Sequence, residues 1–64
     1  MPDSLTSSQL IKLLKQNGFE LTRQKGSHQI FYSIKTKRRV TVPFHRRDLP
    51  KGTLNDILKQ AGLK

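Results

Sequence analysis

The first regular pattern along the chain is helical, over residues 7–17. Leucines recur there at intervals of three and four residues, with lysines and glutamines between them. Thr6 and Gln9 have the spacing of a capping box, in which each side chain binds the backbone N–H of the other residue. Gly18 can adopt the left-handed conformation that ends many helices. We therefore expect a helix that starts after Thr6 and stops before Gly18.

Three segments rich in β-forming residues follow, at residues 19–24, 28–34 and 39–44. A glycine-containing turn at 25–27 joins the first two segments, and a charged connection at 35–38 joins the second to the third. Because parallel strands need long crossover connections, these short links predict an antiparallel three-stranded meander.

Alternation along the strands predicts which side chains face the core. In the second strand Ile30, Tyr32 and Ile34 share one face, which we expect to be covered, leaving Phe31 exposed. The inverse assignment, with Phe31 buried and Tyr32 exposed, fits the same pattern. His28 shares a face with Ile30, so the first assignment lets it reach solvent only at the rim of the sheet. In the flanking strands, we expect one apolar face to be buried: Phe19, Leu21, Val40, Val42 and Phe44.

A second amphipathic helix is predicted over residues 51–61, with Gly62 as its end signal. Its apolar residues are spaced by three or four positions: Leu54, Ile57, Leu58 and Ala61. The element order is then α-β-β-β-α. Since both helices need an apolar surface to cover, we expect an α+β fold with two helices on one face of the sheet and the other face open.

Length and charge narrow the possible functions. A chain of 64 residues forms one small domain and leaves no room for a cofactor-binding lobe. Thirteen lysines and arginines against four acidic residues give a net charge of +9, which attracts polyanions, nucleic acid above all. Without cysteine there are no disulfides, cysteine-type zinc fingers or thiol nucleophiles. We see no signal peptide or membrane span, and expect a cytoplasmic protein.

Several short motifs, taken together and in order, resemble the HicA family of bacterial toxins. The matching blocks are Gly18-Phe19, Arg23-Gln24-Lys25-Gly26-Ser27-His28, Val42-Pro43-Phe44-His45, Lys51-Gly52-Thr53-Leu54 and Ile57-Leu58. The resemblance implies a double-stranded-RNA-binding-domain-like fold in a single toxin domain over residues 1–64. It also implies an mRNA endoribonuclease (an mRNA interferase) that a cognate HicB antitoxin inhibits. The position that matches the family's catalytic histidine is His28.

His28 has the chemistry that cleavage requires. RNA can be cut without a metal when the neighbouring 2′-hydroxyl attacks phosphorus, which requires proton transfer and stabilisation of negative charge. Histidine suits proton transfer because its ordinary pKa, about 6.5, lies near working pH, and lysine or arginine can bracket the phosphate. From residue chemistry alone, a histidine at a strand start is more often a partly exposed residue without a catalytic role. Neither histidine of the chain has an acidic cluster beside it, so we expect no metal and no cofactor.

The other candidate residues are predicted to bind RNA, mostly through phosphate and 2′-hydroxyl groups. Gly26 lets a phosphate approach the backbone closely, and Lys51 lies where helix N–H groups can face a phosphate. His45 could complete an acid–base pair, although a loop residue or a phosphate contact is the commoner role. The predicted RNA-binding residues are Arg23, Lys25, Gly26, Ser27, Lys37, Arg38, Arg39, His45, Arg46, Arg47 and Lys51.

An exposed aromatic on the open face, Phe31 in the first assignment, would stack on a base or anchor the antitoxin. Two other functions also fit the sequence. A non-catalytic RNA-binding module would bind RNA without cutting it, and His28→Ala would bind as well as the wild type. A protein whose task is to be held in a DNA-binding complex by its partner would be harmless when expressed alone.

Overall fold

The computed structural model describes residues 4–45 and 47–64 and has the element order α-β-β-β-α. The elements are α1 (Ser7–Gln16), β1 (Phe19–Lys25), β2 (His28–Ser33), β3 (Arg38–Pro43) and α2 (Lys51–Gln60). Each predicted element is confirmed, and its ends lie within one residue of the predicted ones. Arg46, a predicted RNA contact, lies outside the described residues. Neither helix in the described part of the chain is long and apolar enough to cross a membrane.

The ends of α1 follow the local signals in the sequence. The Thr6 hydroxyl accepts a hydrogen bond from the Gln9 N–H at 3.2 Å, and the Gln9 side chain accepts one from the Thr6 N–H at 2.9 Å. Gly18 has a φ of +87°, a left-handed conformation that favours glycine. The predicted capping box and end signal are therefore both confirmed.

The sheet is an antiparallel meander with β2 in the centre. Gly26, with a φ of +59°, lies in the turn between β1 and β2. Lys37 has the same φ in the turn between β2 and β3, where its N–H donates to the Ser33 carbonyl at 2.7 Å. The two turns lie at opposite ends of β2, so residues at one turn are remote from residues at the other.

Both helices pack on the same face of the sheet, which we call the covered face; the opposite one is the open face. The core on the covered face consists of apolar residues from both helices, all three strands and the flanking segments: Leu5, Leu10, Leu14, Phe19, Phe31, Val40, Val42, Leu49, Leu54, Ile57, Leu58 and Ala61. Two helices over one face of a three-stranded antiparallel sheet is the predicted α+β, double-stranded-RNA-binding-domain-like architecture.

The preferred assignment of the β2 faces is wrong, and the inverse one is correct. Phe31 is 1% exposed in the core, whereas Ile34 is 75% exposed and Tyr32 is half-buried on the open face. The cross-strand pairs explain the outcome. Phe31 lies opposite Val40, so one face buries both residues, while the neighbours of Tyr32 in the sheet are charged. Phe31 is therefore unavailable for stacking on a base or for anchoring a partner.

The core is also narrower than alternation predicts. Leu21 is 46% exposed although its partner is Phe31, whereas Phe19 on the same strand is buried. Phe44 is 63% exposed because it follows the last residue of β3. The expectation that these two side chains are buried is wrong, and Phe44 remains as an exposed aromatic at the end of the sheet.

Candidate functional site

His28 is exposed on the open face, at the first position of β2. Its cross-strand partners are Lys25 on β1 and Pro43 on β3. Side chains of directly opposed residues leave the sheet on the same face, with Cβ atoms about 4.5–5.5 Å apart. The expectation that His28 points toward the helices is wrong, since it depended on the inverted faces. The imidazole instead emerges beside a lysine on the face that the helices leave free.

A β-bulge in β1 sets which cations share that face. The register shifts between Leu21, opposite Phe31, and Arg23, opposite Ile30, so that Thr22 is the extra residue. In a regular strand, residues 21, 23 and 25 would all point to the covered face. The bulge reverses the alternation and turns Arg23 and Lys25 to the open face with His28.

The Thr22 hydroxyl donates to the Ile30 carbonyl at 3.1 Å, across the strand pair where the register shifts. Sequence reasoning missed Thr22 because alternation assumes a regular ladder. The only signal in the sequence is weak: from Thr22 to Gln29 no residue is apolar, so no buried side chain fixes the register of this end of β1.

Three cross-strand rows make up the open face. The first contains Lys25, His28 and Pro43, the second Arg23, Ile30 and Thr41, and the third Glu20, Tyr32 and Arg39. Tyr32 lies four positions after His28, so the first and third rows are about 13 Å apart along β2. The described open face thus presents three cations against one carboxylate, with its apolar side chains in the central strand. This combination of positive charge and half-buried apolar groups suits a polyanion or a partner protein.

The predicted RNA-binding cations in and beside the connection between β2 and β3 lie away from the row of His28. Lys37 lies in the turn at the opposite end of the sheet. Arg38 shares its face with Ser33 on the covered side, and its Nη1 donates to the Gln60 carbonyl at the end of α2, at 3.3 Å. A Cβ at position 62 would lie 2.9 Å from the Arg38 Nε, so Gly62 makes room for the guanidinium. The described contacts give Arg38 a helix-capping role.

His45 lies at the same end of the sheet as His28, although the two are far apart in sequence. Pro43 is the partner of His28, and the Phe44 N–H donates to the Ser27 carbonyl at 2.9 Å, which continues the ladder past β3. The His45 N–H donates at 2.8 Å to the hydroxyl of Ser7, the first residue of α1.

The Ser7 hydroxyl also donates to the Pro43 carbonyl at 2.8 Å, and Ser7 is 1% exposed. One buried hydroxyl therefore fixes both the end of β3 and the start of the loop that carries His45. Sequence reasoning missed this residue, because its two partners are distant along the chain.

The remaining predicted contacts precede or begin α2. Arg47 and Lys51 are exposed, and α2 starts at Lys51 with Pro50 as its N-cap, which provides no side-chain hydrogen bond. The Leu49 N–H donates to the Leu5 carbonyl at 2.8 Å and so holds this segment beside the start of α1. Lys51 therefore does not lie on the open face with His28. Within residues 4–45 and 47–64, no three His, Cys, Asp or Glu side chains gather as a metal site.

The fold and this surface define a class: a small basic α+β domain that exposes a histidine among cations on an open sheet. The family comparison is more specific, since the family model described as "HicA toxin of bacterial toxin-antitoxin" matches residues 7–63. The chain belongs to the HicA toxin family. It is the toxin of a toxin–antitoxin system and has a cognate antitoxin as its partner. The comparison with curated proteins found no match.

Proposed function

We propose that this toxin is an mRNA endoribonuclease of the cytoplasm, a single toxin domain over residues 1–64, with His28 as its proton-transfer residue. The observation that carries the proposal is the exposure of His28 on the open face, in one row with Lys25 and next to the row of Arg23. Membership of a toxin family supports a destructive activity, and the net charge of +9 supports RNA as the target.

The proposed reaction needs no metal and no cofactor. The His28 imidazole takes the proton of a ribose 2′-hydroxyl, and the 2′-oxygen attacks the adjacent phosphorus. The bond from phosphorus to the 5′-oxygen breaks, which leaves a 2′,3′-cyclic phosphate on one fragment and a 5′-hydroxyl on the other. Lys25 and Arg23 stabilise the negative charge that builds up on the phosphate oxygens.

The departing 5′-oxygen must also gain a proton. His45 is the candidate donor, because its backbone lies at the same end of the sheet as His28. Its alternative role is a phosphate contact. The His45→Ala variant separates the two roles: loss of the donor lowers the cleavage rate at saturating RNA, whereas loss of a contact weakens RNA binding and leaves that rate unchanged.

The antitoxin, proposed to be of the HicB type, inhibits the toxin by covering the open face. Ile30 and Tyr32 are half-buried there and lie among charged residues, which is the composition of a partner surface with an apolar centre and a polar edge. Tyr32 replaces Phe31 as the aromatic anchor. We expect Tyr32→Ala to weaken the toxin–antitoxin complex about 10- to 30-fold, measured by titration of the purified proteins. An unchanged affinity would show that the antitoxin binds elsewhere.

Expression in bacteria tests the proposed activity. Wild-type toxin should arrest growth and fragment mRNA, and His28→Ala should do neither. Because His28 is exposed, the variant should fold normally, which circular dichroism checks. Lys12→Ala, an exposed cation of α1 outside the proposed site, is the matched control and should remain toxic. Two outcomes would contradict the proposal: toxicity of His28→Ala, or purified wild-type protein that shifts RNA on a gel without shortening it.

A further inference from the structure

A groove of about 350 Å³ opens between the start of α1 and the end of the sheet that carries His28. Its lining includes the apolar side chains of Ile11, Val42 and Phe44 and the carboxamides of Gln24 and Gln29. The volume lies within the range of small-ligand sites, roughly 300–1,000 Å³. Among the described lining residues, none carries a charge. The groove therefore suits a flat, uncharged group with apolar faces and a polar edge.

Two features of the lining point to a nucleobase. Phe44 is 63% exposed, so its ring is available for stacking without rearrangement of the core. Gln24 and Gln29 lie opposite each other across the strands, and the Gln29 Nε2 donates to the Gln24 Oε1 at 3.5 Å. A carboxamide presents a donor and an acceptor side by side, which is the pairing that base edges require.

The groove and the proposed cleavage site lie at the same end of the sheet, the groove on the covered face beside α1 and His28 on the open face. Ser27 and Gln29, the chain neighbours of His28, both line it, and so does Pro43, the cross-strand partner of His28. An RNA strand that reaches both must pass around the turn between β1 and β2, where a Cβ at Gly26 would meet nothing within 4 Å.

We propose that this groove binds one unpaired nucleobase of the RNA, on a nucleotide beside the phosphate that the 2′-oxygen attacks once His28 has taken its proton. The inference rests on the proposed function for the identity of the polymer. The glutamine pair would then give the toxin a base preference at the cleavage point, which contacts to phosphate and 2′-hydroxyl groups do not provide.

The test measures RNA binding rather than cleavage. His28→Ala protein is titrated with short single-stranded RNAs that each lack the base at one position. The expected result is a single position at which the loss of the base weakens binding. Phe44→Ala should weaken binding of the intact RNA about 5- to 10-fold and have no further effect on the RNA that lacks this base. Phe44→Tyr should restore binding, because it retains the ring.

Ile34→Ala is the matched control, since Ile34 is an exposed apolar residue in the turn at the opposite end of the sheet. It should bind every RNA as the parent protein does. The proposal is overturned if Phe44→Ala weakens binding equally whichever base is missing, or leaves RNA binding unchanged. If Phe44→Ala weakens the complex with the antitoxin and leaves RNA binding unchanged, the groove binds the antitoxin and the proposal is overturned. All of these proteins carry His28→Ala and are compared by RNA binding. The measurements can therefore refute the groove proposal whether or not the wild type cleaves RNA.

Discussion

Replacement of Ser7 by alanine should destabilise the protein, because the Ser7 hydroxyl bonds two backbone groups at the end of the sheet. The Ser7 side chain is 1% exposed, donates to the Pro43 carbonyl and accepts from the His45 N–H, both at 2.8 Å. An unpaired buried donor or acceptor costs about 1–3 kcal/mol. Alanine, a better helix former than serine, returns about 0.5 kcal/mol in α1.

Two groups lose their partner, and because both hydrogen bonds are only part-buried each loss costs about 1 kcal/mol, so the net loss is about 1.5 kcal/mol of unfolding free energy. For a domain of this size, about 1 kcal/mol corresponds to a shift of roughly 4–8 °C in melting temperature, so Ser7→Ala should melt about 6–12 °C lower. Thermal unfolding followed by circular dichroism measures the shift. Hydrogen exchange of the His45 amide should also become faster, because its acceptor is gone.

Ser8→Ala is the matched control. Ser8 is the next residue of α1 and is exposed, so its replacement should change the unfolding free energy by no more than about 0.5 kcal/mol. If Ser7→Ala melted within about 2 °C of Ser8→Ala, the Ser7 hydroxyl would not be what holds α1 against the end of β3.

Three further substitutions test the open face and its supports. Lys25→Ala should lower kcat/KM for RNA cleavage about 10- to 100-fold and Lys25→Arg should restore most of it, in a fluorescence assay; an unchanged rate would exclude Lys25 from the site. Thr22→Val removes the hydrogen bond to the Ile30 carbonyl beside the bulge, so it should cost about 0.5–1.5 kcal/mol of unfolding free energy in thermal melts and slow cleavage several-fold. Thr22→Ser keeps the hydroxyl and should retain the stability and the cleavage rate of the wild type. Arg38→Ala should cost about 0.3–1 kcal/mol through the end of α2 and slow cleavage less than Arg39→Ala does; the reverse order would make Arg38 an RNA contact.

The helices and strands were predictable because their signals are local. The capping box of Thr6 and Gln9 and the positive φ of Gly18 depend on residues that are neighbours in the chain. The element order and the covered face follow from two amphipathic helices and three strands with short connections. These features require no knowledge of which residues meet across the sheet.

The faces of the strands were not predictable in the same way. Alternation separates Ile30, Tyr32 and Ile34 from Phe31 but does not say which set is buried, and three apolar residues against one favoured the wrong side. The cross-strand partner Val40 decides in favour of Phe31. That decision depends on the register between strands, which no local signal fixes.

The candidate site was predictable in its residues and not in its geometry. The motifs named His28, Arg23 and Lys25, yet the three share a face only because of the bulge at Thr22. The contact between Arg38 and the Gln60 carbonyl was not predictable either, because the two residues are distant along the chain.

The most direct test of the account is single-turnover cleavage of a defined RNA by purified wild-type protein and by His28→Ala, with both fragment ends identified by mass spectrometry. We expect the wild type to produce a 2′,3′-cyclic phosphate and a 5′-hydroxyl. His28→Ala should cleave at least about 100-fold more slowly while it binds the RNA with similar affinity. Cleavage by His28→Ala at the wild-type rate would contradict the assignment of His28 as the proton-transfer residue.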